Sequence, residues 1–508
     1  MTTDDRSRPR STFGYVLLAC AIANVLPLFA ARFLPFSDLP EHVAAIAAFG
    51  QWSDPSFRVD EHYVFAFGES QYLLYHGVGS LLARVVGSPE RANLILLAAT
   101  GIAWPYSARA FLRALGRDER LALFACPLFW NHALVIGLLP FVASVPLVLF
   151  ALAISVRTTR RRTWLVAPLA VLLFFAHVQA FAVYALALAA MTLSDRDQRS
   201  QLVPRAIAFG PSLLLAAGWA LHTRIATRNT SLAAPEQLHF ASARALLRGL
   251  PFWAHDVWRG RIDDLLGIAF WVIVIVIATR GATKRLALWM PLATIVLLFF
   301  ATPYRVGGGD MLNVRLAIFV PLFVLPLLEP TRDRRWPIAA GIVLTLAGAA
   351  NHVHEIRAAQ TEIGDFDRVL AAMPRGARVL SLHFDRESQH THFPPWVHLA
   401  ALHRARNGGV AEPSFAVLGH WPVHYRAGFA PPKKDVDFWE FEPCRFRNSV
   451  DGPYYDYVLV RGDVDPFRSS PPGPRWRSVV REGEWTLFGR ANVPDVNDDA
   501  FDAGPCAM

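Results

Sequence analysis

Long apolar runs recur from near the N-terminus to about residue 352, and no other feature constrains the fold of this chain as tightly. They fall near 13–34, 92–112, 121–136, 138–156, 164–176, 178–193, 204–222, 264–279, 286–302, 315–329 and 337–352. A helix needs about 20 mostly apolar residues to cross a hydrocarbon core of about 30 Å, and lipid offers the backbone no hydrogen-bond partner. The runs therefore read as membrane-spanning helices rather than strands. The expected fold is an all-α polytopic membrane bundle of about eleven spans over 1–352, then a small α/β domain over 353–491 and an acidic, disordered tail over 492–508.

Arginine placement orients the bundle. The first run follows Arg6, Arg8 and Arg10 and is too long for the apolar core of a signal peptide, so it reads as a retained anchor with its N-terminus in the cytoplasm. Alternating from there, Arg113–Arg120, Arg157–Thr163, Ser194–Gln201, Arg280–Arg285 and Glu329–Trp336 become cytoplasmic connections, each rich in Arg or Lys. The turns near Leu139 and His177 carry none, which is the positive-inside asymmetry and places the C-terminal domain outside. The chain reads as a multi-pass protein of a bacterial inner membrane. One loop, about 224–263, holds Arg224, Arg228, Arg244, Arg248, Arg259 and Arg261 yet must face outward. Either a helix is miscounted there or those arginines have other work.

The first external loop, 35–91, contains two stretches, Leu39–Trp52 and Tyr72–Val86, that read as helices lying at the interface. Beyond Asn351, Phe366–Met373 reads as helix, and Arg378–Leu382, Tyr455–Val460 and Trp485–Phe488 as strands. Cys444 and Cys506 lie in this part, where an oxidising compartment would permit a disulfide. A net charge of +9 could suggest nucleic acid, but the basic residues sit in small clusters between apolar runs, as topology signals do. No nucleic-acid partner is expected.

Chemistry concentrates in FSDLPEH, Phe36 to His42, where the first span emerges. Asp38, Glu41 and His42 bring two carboxylates and an imidazole to the membrane surface, residue types suited to moving a proton. The same letters are also ordinary helix-start chemistry, with Asp38 as N-cap and Pro40 in the first turn. His132 and His177 lie near external helix ends, and Glu61 and His62 in the first loop. Arg305 and Arg315 bracket the external segment TPYRVGGGDMLNVR, which also holds Asp310 and the glycines 307–309. Guanidinium forks suit phosphate oxygens, and glycines would let the loop move. His383, Asp385, His390, His392, His398 and His403 crowd together later, without the spacing of a standard metal motif.

An anchored first span, a long external loop with an aspartate just past the membrane, alternating spans and an external C-terminal domain resemble the GT-C superfamily of polyprenyl-phosphate-sugar-dependent glycosyltransferases. The resemblance covers the topology of the whole chain, with Asp38 and His42 of FSDLPEH as its motif. It implies that Asp38 is the catalytic base or a metal-linked acid, with Glu61 or Asp310 as a second acidic residue and a divalent metal left open. It also implies transfer of a hexose or pentose from a polyprenyl phosphate carrier to a glycan, lipid or protein acceptor, by one in-line displacement with inversion. On this reading Glu41 and His42 assist Asp38, Arg305 and Arg315 clamp the phosphate, and His132 and His177 line the sugar site. A transporter of lipid-linked precursors and a non-catalytic scaffold are the alternatives.

Overall fold

The computed structural model describes residues 12–227, 238–306, 309–329, 335–432, 438–469, 471–495 and 506. Six described helices are long and apolar enough to cross a membrane: Thr12–Phe29, Pro89–Ala114, Leu139–Arg157, Arg199–Thr223, Arg261–Arg280 and Arg335–Ile363. Their outer faces carry exposed Val203, Ile207, Leu214, Val272, Ile275 and Val343, side chains that water would not tolerate in such numbers and that lipid accepts. The protein is a polytopic membrane protein.

The other expected spans are shorter or broken. Val178–Ser194 and Leu286–Ala301 have 17 and 16 residues, and Val166–Ala176 has 11. The run expected as a helix over 121–136 is instead a 3₁₀ segment, Glu119–Ala125, a second, Pro127–Phe129, and one α turn, His132–Ile136. Pro127 interrupts the helical ladder, and the Asn131 side chain donates to the Leu128 and Phe129 carbonyls while accepting from the Leu134 N–H. Irregular backbone survives at membrane depth only inside protein, and residues 121–126 are all buried, as are Phe129 and Trp130. Val314–Leu327, with Pro321 and Pro326, is broken and buried in the same manner.

Contacts sort the connections into two sets. Arg117 pairs with Glu329 at 3.1 Å, Thr283 N–H donates to the Leu327 carbonyl, and Thr163 donates to Gln201 at 3.0 Å, so the arginine-rich turns meet one another. The remaining connections meet the C-terminal region. Arg406 pairs with Glu90, Arg32 with Asp367 at 3.0 Å, and the strand Tyr63–Phe65 runs antiparallel to Val423–Tyr425. Arg259 pairs with Glu387 at 3.0 Å, which gives one arginine of the anomalous 224–263 loop a task unrelated to topology. Arg228 and the side chain of Arg224 lie outside the described residues, as do Gly307 and Gly308.

Leu39–Gln51 and Leu73–Val86 both form helices, but the first does not lie on a lipid surface. Its alanine-rich faces let neighbours approach closely, and Val43, Ala44 and Ala47 share one apolar core with Ile363, Leu399 and Ala401. The C-terminal region is built on a five-stranded mixed sheet in the spatial order Val410–Glu412, Arg378–His383, Tyr457–Arg461, Trp485–Arg490, Trp476–Glu482. The first three strands in this order are parallel to one another, the fourth is antiparallel to the third and the fifth antiparallel to the fourth. Both faces are covered: Val379, Leu459 and Leu487 pack with Phe366 and Trp396 on one, Leu380, Val458 and Val460 with Trp439 and Phe446 on the other. That explains the unbroken apolar strands. Cys444 and Cys506 form a disulfide; the rest of the tail beyond residue 495 lies outside the described residues.

Candidate active site

Three contacts fix Asp38. Phe36 is buried edge-on against Trp130, Ser37 N–H donates to the Val135 carbonyl at 3.1 Å, and Asp38 N–H to the Ile136 carbonyl at 2.9 Å. The next residue of that segment, Gly137, has φ +97°, and a Cβ there would fall 2.6 Å from the Asp38 backbone nitrogen. Only glycine permits this approach. Gly137→Ala is therefore expected to push Asp38 and its turn out of place and to lower the unfolding temperature, which a thermal-unfolding scan beside wild type checks.

Asp38 precedes the helix Leu39–Gln51, yet its carboxylate makes no capping bond to it. The carboxylate is 18% exposed and lies 3.9 Å from Nε2 of His398, which the C-terminal region supplies. Glu41 and His42 do something other than assist it. Glu41 is wholly buried and accepts from Arg404 at 2.7 Å and from the Phe415 N–H at 3.2 Å, so it ties the first loop to the C-terminal region. Glu41 and His42 stand three and four residues on from Asp38, the spacing that shares a helix face, yet their contacts run to Arg404, the Phe415 N–H and His76. His42 Nδ1 sits 3.0 Å from His76 Nε2 in a cluster with Tyr75 and Trp421. Burial holds His42 well below the usual imidazole range and brings His76 down to about 4, so this pair is neutral and shares one hydrogen bond.

A second polar group gathers around Arg315, which is 9% exposed. Its Nη2 donates to the Asp310 carbonyl at 3.0 Å, and its guanidinium faces the Tyr72 hydroxyl, His177 and His420. Tyr72 packs on both imidazoles, at 5.2 and 5.5 Å between ring centroids. Burial, with the nearby Arg315 charge, brings His420 down to about 4. Among the described residues no carboxylate pairs with Arg315, an unusual state for a buried guanidinium. The two groups are joined by a wall of rings: His398 on Phe415 at 4.9 Å, Phe415 on Trp421 at 5.0 Å, and Trp421 on His76 at 5.2 Å. His76 Nδ1 then meets the Tyr72 carbonyl at 2.9 Å.

No protein-family model matches the sequence, and no curated protein matches it. Solved structures do. ArnT from Cupriavidus metallidurans bound to undecaprenyl phosphate aligns with TM-score 0.59 at 11% identity, covering 94% of this chain and 98% of that one. Its apo form gives 0.55 at 11% identity, covering 94% and 96%. The arabinofuranosyltransferase AftD from Mycobacteria gives 0.52 at 16% identity; 96% of this chain is covered, and the chain spans about 40% of that protein's length. The fold is GT-C.

This fold links Asp38 and Arg315 through one aromatic wall and gives other expected site residues separate partners. Arg305 is half exposed in a two-residue ladder with Leu238–His239 and pairs with the Asp310 carboxylate. Both arginines meet Asp310, Arg315 through the backbone carbonyl and Arg305 through the carboxylate, so Asp310 is engaged as Arg305's counter-ion. Glu61 forms a surface pair with Arg58 at 2.5 Å, and His62 is buried against Phe429 behind the Tyr63–Phe65 strand. His177 joins the Arg315 group through Tyr72. His132 packs on Trp253, His392 and Phe393, beside an Asp256–His392 pair at 2.7 Å. The crowded later histidines disperse to separate partners: His383 to Ser381, His390 to Glu355, His403 to the Ala377 carbonyl. Among the described residues no three such side chains form a metal-ligand group. Tyr72, His76, His420 and Trp421 escape sequence reasoning, because each meets Asp38's or Arg315's surroundings through contacts between segments far apart in the chain, and His398 is legible only as one of a crowd of histidines. The histidine-rich stretch around His398 is the one signal that pointed to them, and it reads more naturally as metal chemistry.

Proposed function

We propose that this chain is an integral membrane glycosyltransferase that moves one hexose or pentose from a polyprenyl phosphate carrier to a hydroxyl of an extracytoplasmic glycan, lipid or protein. The observation that carries this reading is the pairing of a part-exposed carboxylate, Asp38, with a buried guanidinium, Arg315, that has no carboxylate partner among the described residues, at opposite ends of one aromatic wall. The GT-C fold, shared with an ArnT structure that holds undecaprenyl phosphate, supports the choice of donor.

Asp38 accepts the acceptor hydroxyl's proton as that oxygen attacks the anomeric carbon. The bond from the anomeric carbon to the phosphate oxygen breaks, its electron pair stays with the phosphate, and attack from the opposite face inverts the sugar. Arg315 neutralises the departing phosphate where lipid and buried protein make that charge costly. Tyr72, His177 and His420 give it further donors, and Trp421 and Phe415 offer flat faces for a sugar ring.

The bundle reads as about eleven spans in a bacterial inner membrane when the short and broken segments are counted, with the arginine-rich turns in the cytoplasm and the C-terminal domain outside. The sorting of connections into two contact sets agrees with that parity, and the Cys444–Cys506 disulfide suits an oxidising compartment. The test is turnover of undecaprenyl-phosphate-linked pentoses and hexoses by protein purified into nanodiscs, read as released undecaprenyl phosphate. Arg315→Ala is expected to raise KM for the active donor roughly ten- to hundredfold, the loss of one charge-assisted contact, with Arg315→Lys recovering part of it. An unchanged KM in Arg315→Ala removes the phosphate site from this residue.

A further inference from the structure

The carboxylate that braces the histidine facing Asp38 comes from a separate part of the chain. His398 has a backbone φ of +61°, a conformation that costs a residue with a Cβ and that persists only where surroundings enforce it. Its side chain is 3% exposed. Glu440, fully buried, does the enforcing: Oε1 accepts the His398 backbone N–H at 2.7 Å, and Oε2 lies 3.1 Å from His398 Nδ1. One carboxylate thus bonds the backbone of His398 and lies within ion-pair distance of its ring. Glu440 Oε1 is also 3.5 Å from His383 Nε2, which bonds Ser381 Oγ at 2.9 Å. A strained, buried imidazole fixed in this way directs its other ring nitrogen, Nε2, at Asp38 Oδ1, 3.9 Å away.

We propose that His398, held by Glu440, is the positioning residue for Asp38, so that the C-terminal region completes the active site rather than merely covering it. This rests on the glycosyl-transfer reading for its chemistry. The Nε2 edge of the His398 ring faces Oδ1 of Asp38, so a ring N–H there orients the carboxylate that takes the acceptor's proton. The separation of 3.9 Å is that of an ion pair, and such contacts tighten when substrate is bound.

The strained backbone supplies a clean variant. His398→Gly removes the imidazole while glycine adopts the same φ without steric cost. In nanodiscs, against whichever undecaprenyl-phosphate-linked pentose or hexose the wild type consumes, His398→Gly is expected to lose about 10²-fold in kcat with donor KM unchanged. Added imidazole restores part of the rate, and the Asp38→Asn, His398→Gly double variant is no slower than Asp38→Asn alone. His398→Asn, which also tolerates positive φ, is expected to match the glycine variant without responding to imidazole. Unchanged kcat, or a loss that falls on KM and ignores imidazole, overturns the proposal. Should wild type consume no donor, the glycosyl-transfer reading fails, and the positioning is decided by infrared difference spectra of ¹³C-aspartate-labelled protein. There the Asp38 carboxylate band, assigned by subtracting Asp38→Asn, shifts in His398→Gly if the pair exists and stays in place if it does not.

Discussion

Replacing Asp38 by asparagine will lower sugar transfer by about 10³-fold or more, within the range expected for loss of a general base, and will leave thermal unfolding close to wild type. The second half follows from geometry. Asp38 is part-exposed, makes no cap bond to its helix, and is held by its backbone N–H on the Ile136 carbonyl, which asparagine retains. Asparagine keeps the size and the polar oxygen and loses only the ability to take a proton at neutral pH. KM for the lipid-linked donor should change little, because the proposed reading gives the phosphate to Arg315 and its neighbours rather than to Asp38. Steady-state kinetics with differential scanning fluorimetry on the same preparations separate these effects. Equal turnover in the variant would remove Asp38 from the chemistry.

The largest stability effect is expected at Arg404→Ala. Arg404 and Glu41 form an ion pair with side chains 7% and 0% exposed, and Arg404 also donates to Ser414. Removing one partner leaves the other charged group buried without compensation, a loss of about 3–5 kcal/mol. The pair joins the helix after Asp38 to the helix Ala401–Asn407, so the lost energy falls on the seam between the first loop and the C-terminal region. Arg404→Ala should therefore expose that seam to limited proteolysis and lower the unfolding temperature sharply. The double variant Glu41→Gln, Arg404→Met removes both charges and should recover most of the loss. Arg58→Ala, which breaks a pair with side chains 43% and 39% exposed, should fall within about 0.5 kcal/mol of wild type. If Arg404→Ala behaves like Arg58→Ala, the seam is held by its other contacts and not by this pair.

Hydropathy alone locates the helices at both ends of the bundle and the two helices of the first loop, and apolar runs locate three of the five sheet strands, because burial on one or both faces writes itself into local sequence. It misplaces the segment 121–136. An averaged run of Leu, Ala, Phe and Val carries no sign that Pro127 stops the helix or that Asn131 satisfies the freed carbonyls. Strands of three residues, such as Val410–Glu412 and Tyr63–Phe65, are too short for a period to register. In the site, Asp38 is readable because it follows the first anchor directly. Its environment is not, since Glu41 and Arg404 are 363 residues apart and only the fold brings them together. Glu41 and His42 look catalytic beside Asp38 in the one-dimensional string, and the tertiary fold supplies them with other partners, Arg404 and His76.

The central claim is that the chain consumes a lipid-linked sugar outside the cytoplasm through Asp38. It is tested most directly by mass spectrometry of envelope glycans and polyprenyl-phosphate lipids from cells with the protein, without it, and with Asp38→Asn. Cells lacking the protein and cells with the variant should show the same loss of one sugar from an envelope glycan, lipid or glycoprotein, with the polyprenyl-phosphate sugar building up. Identical glycan and lipid profiles in all three would contradict the assignment.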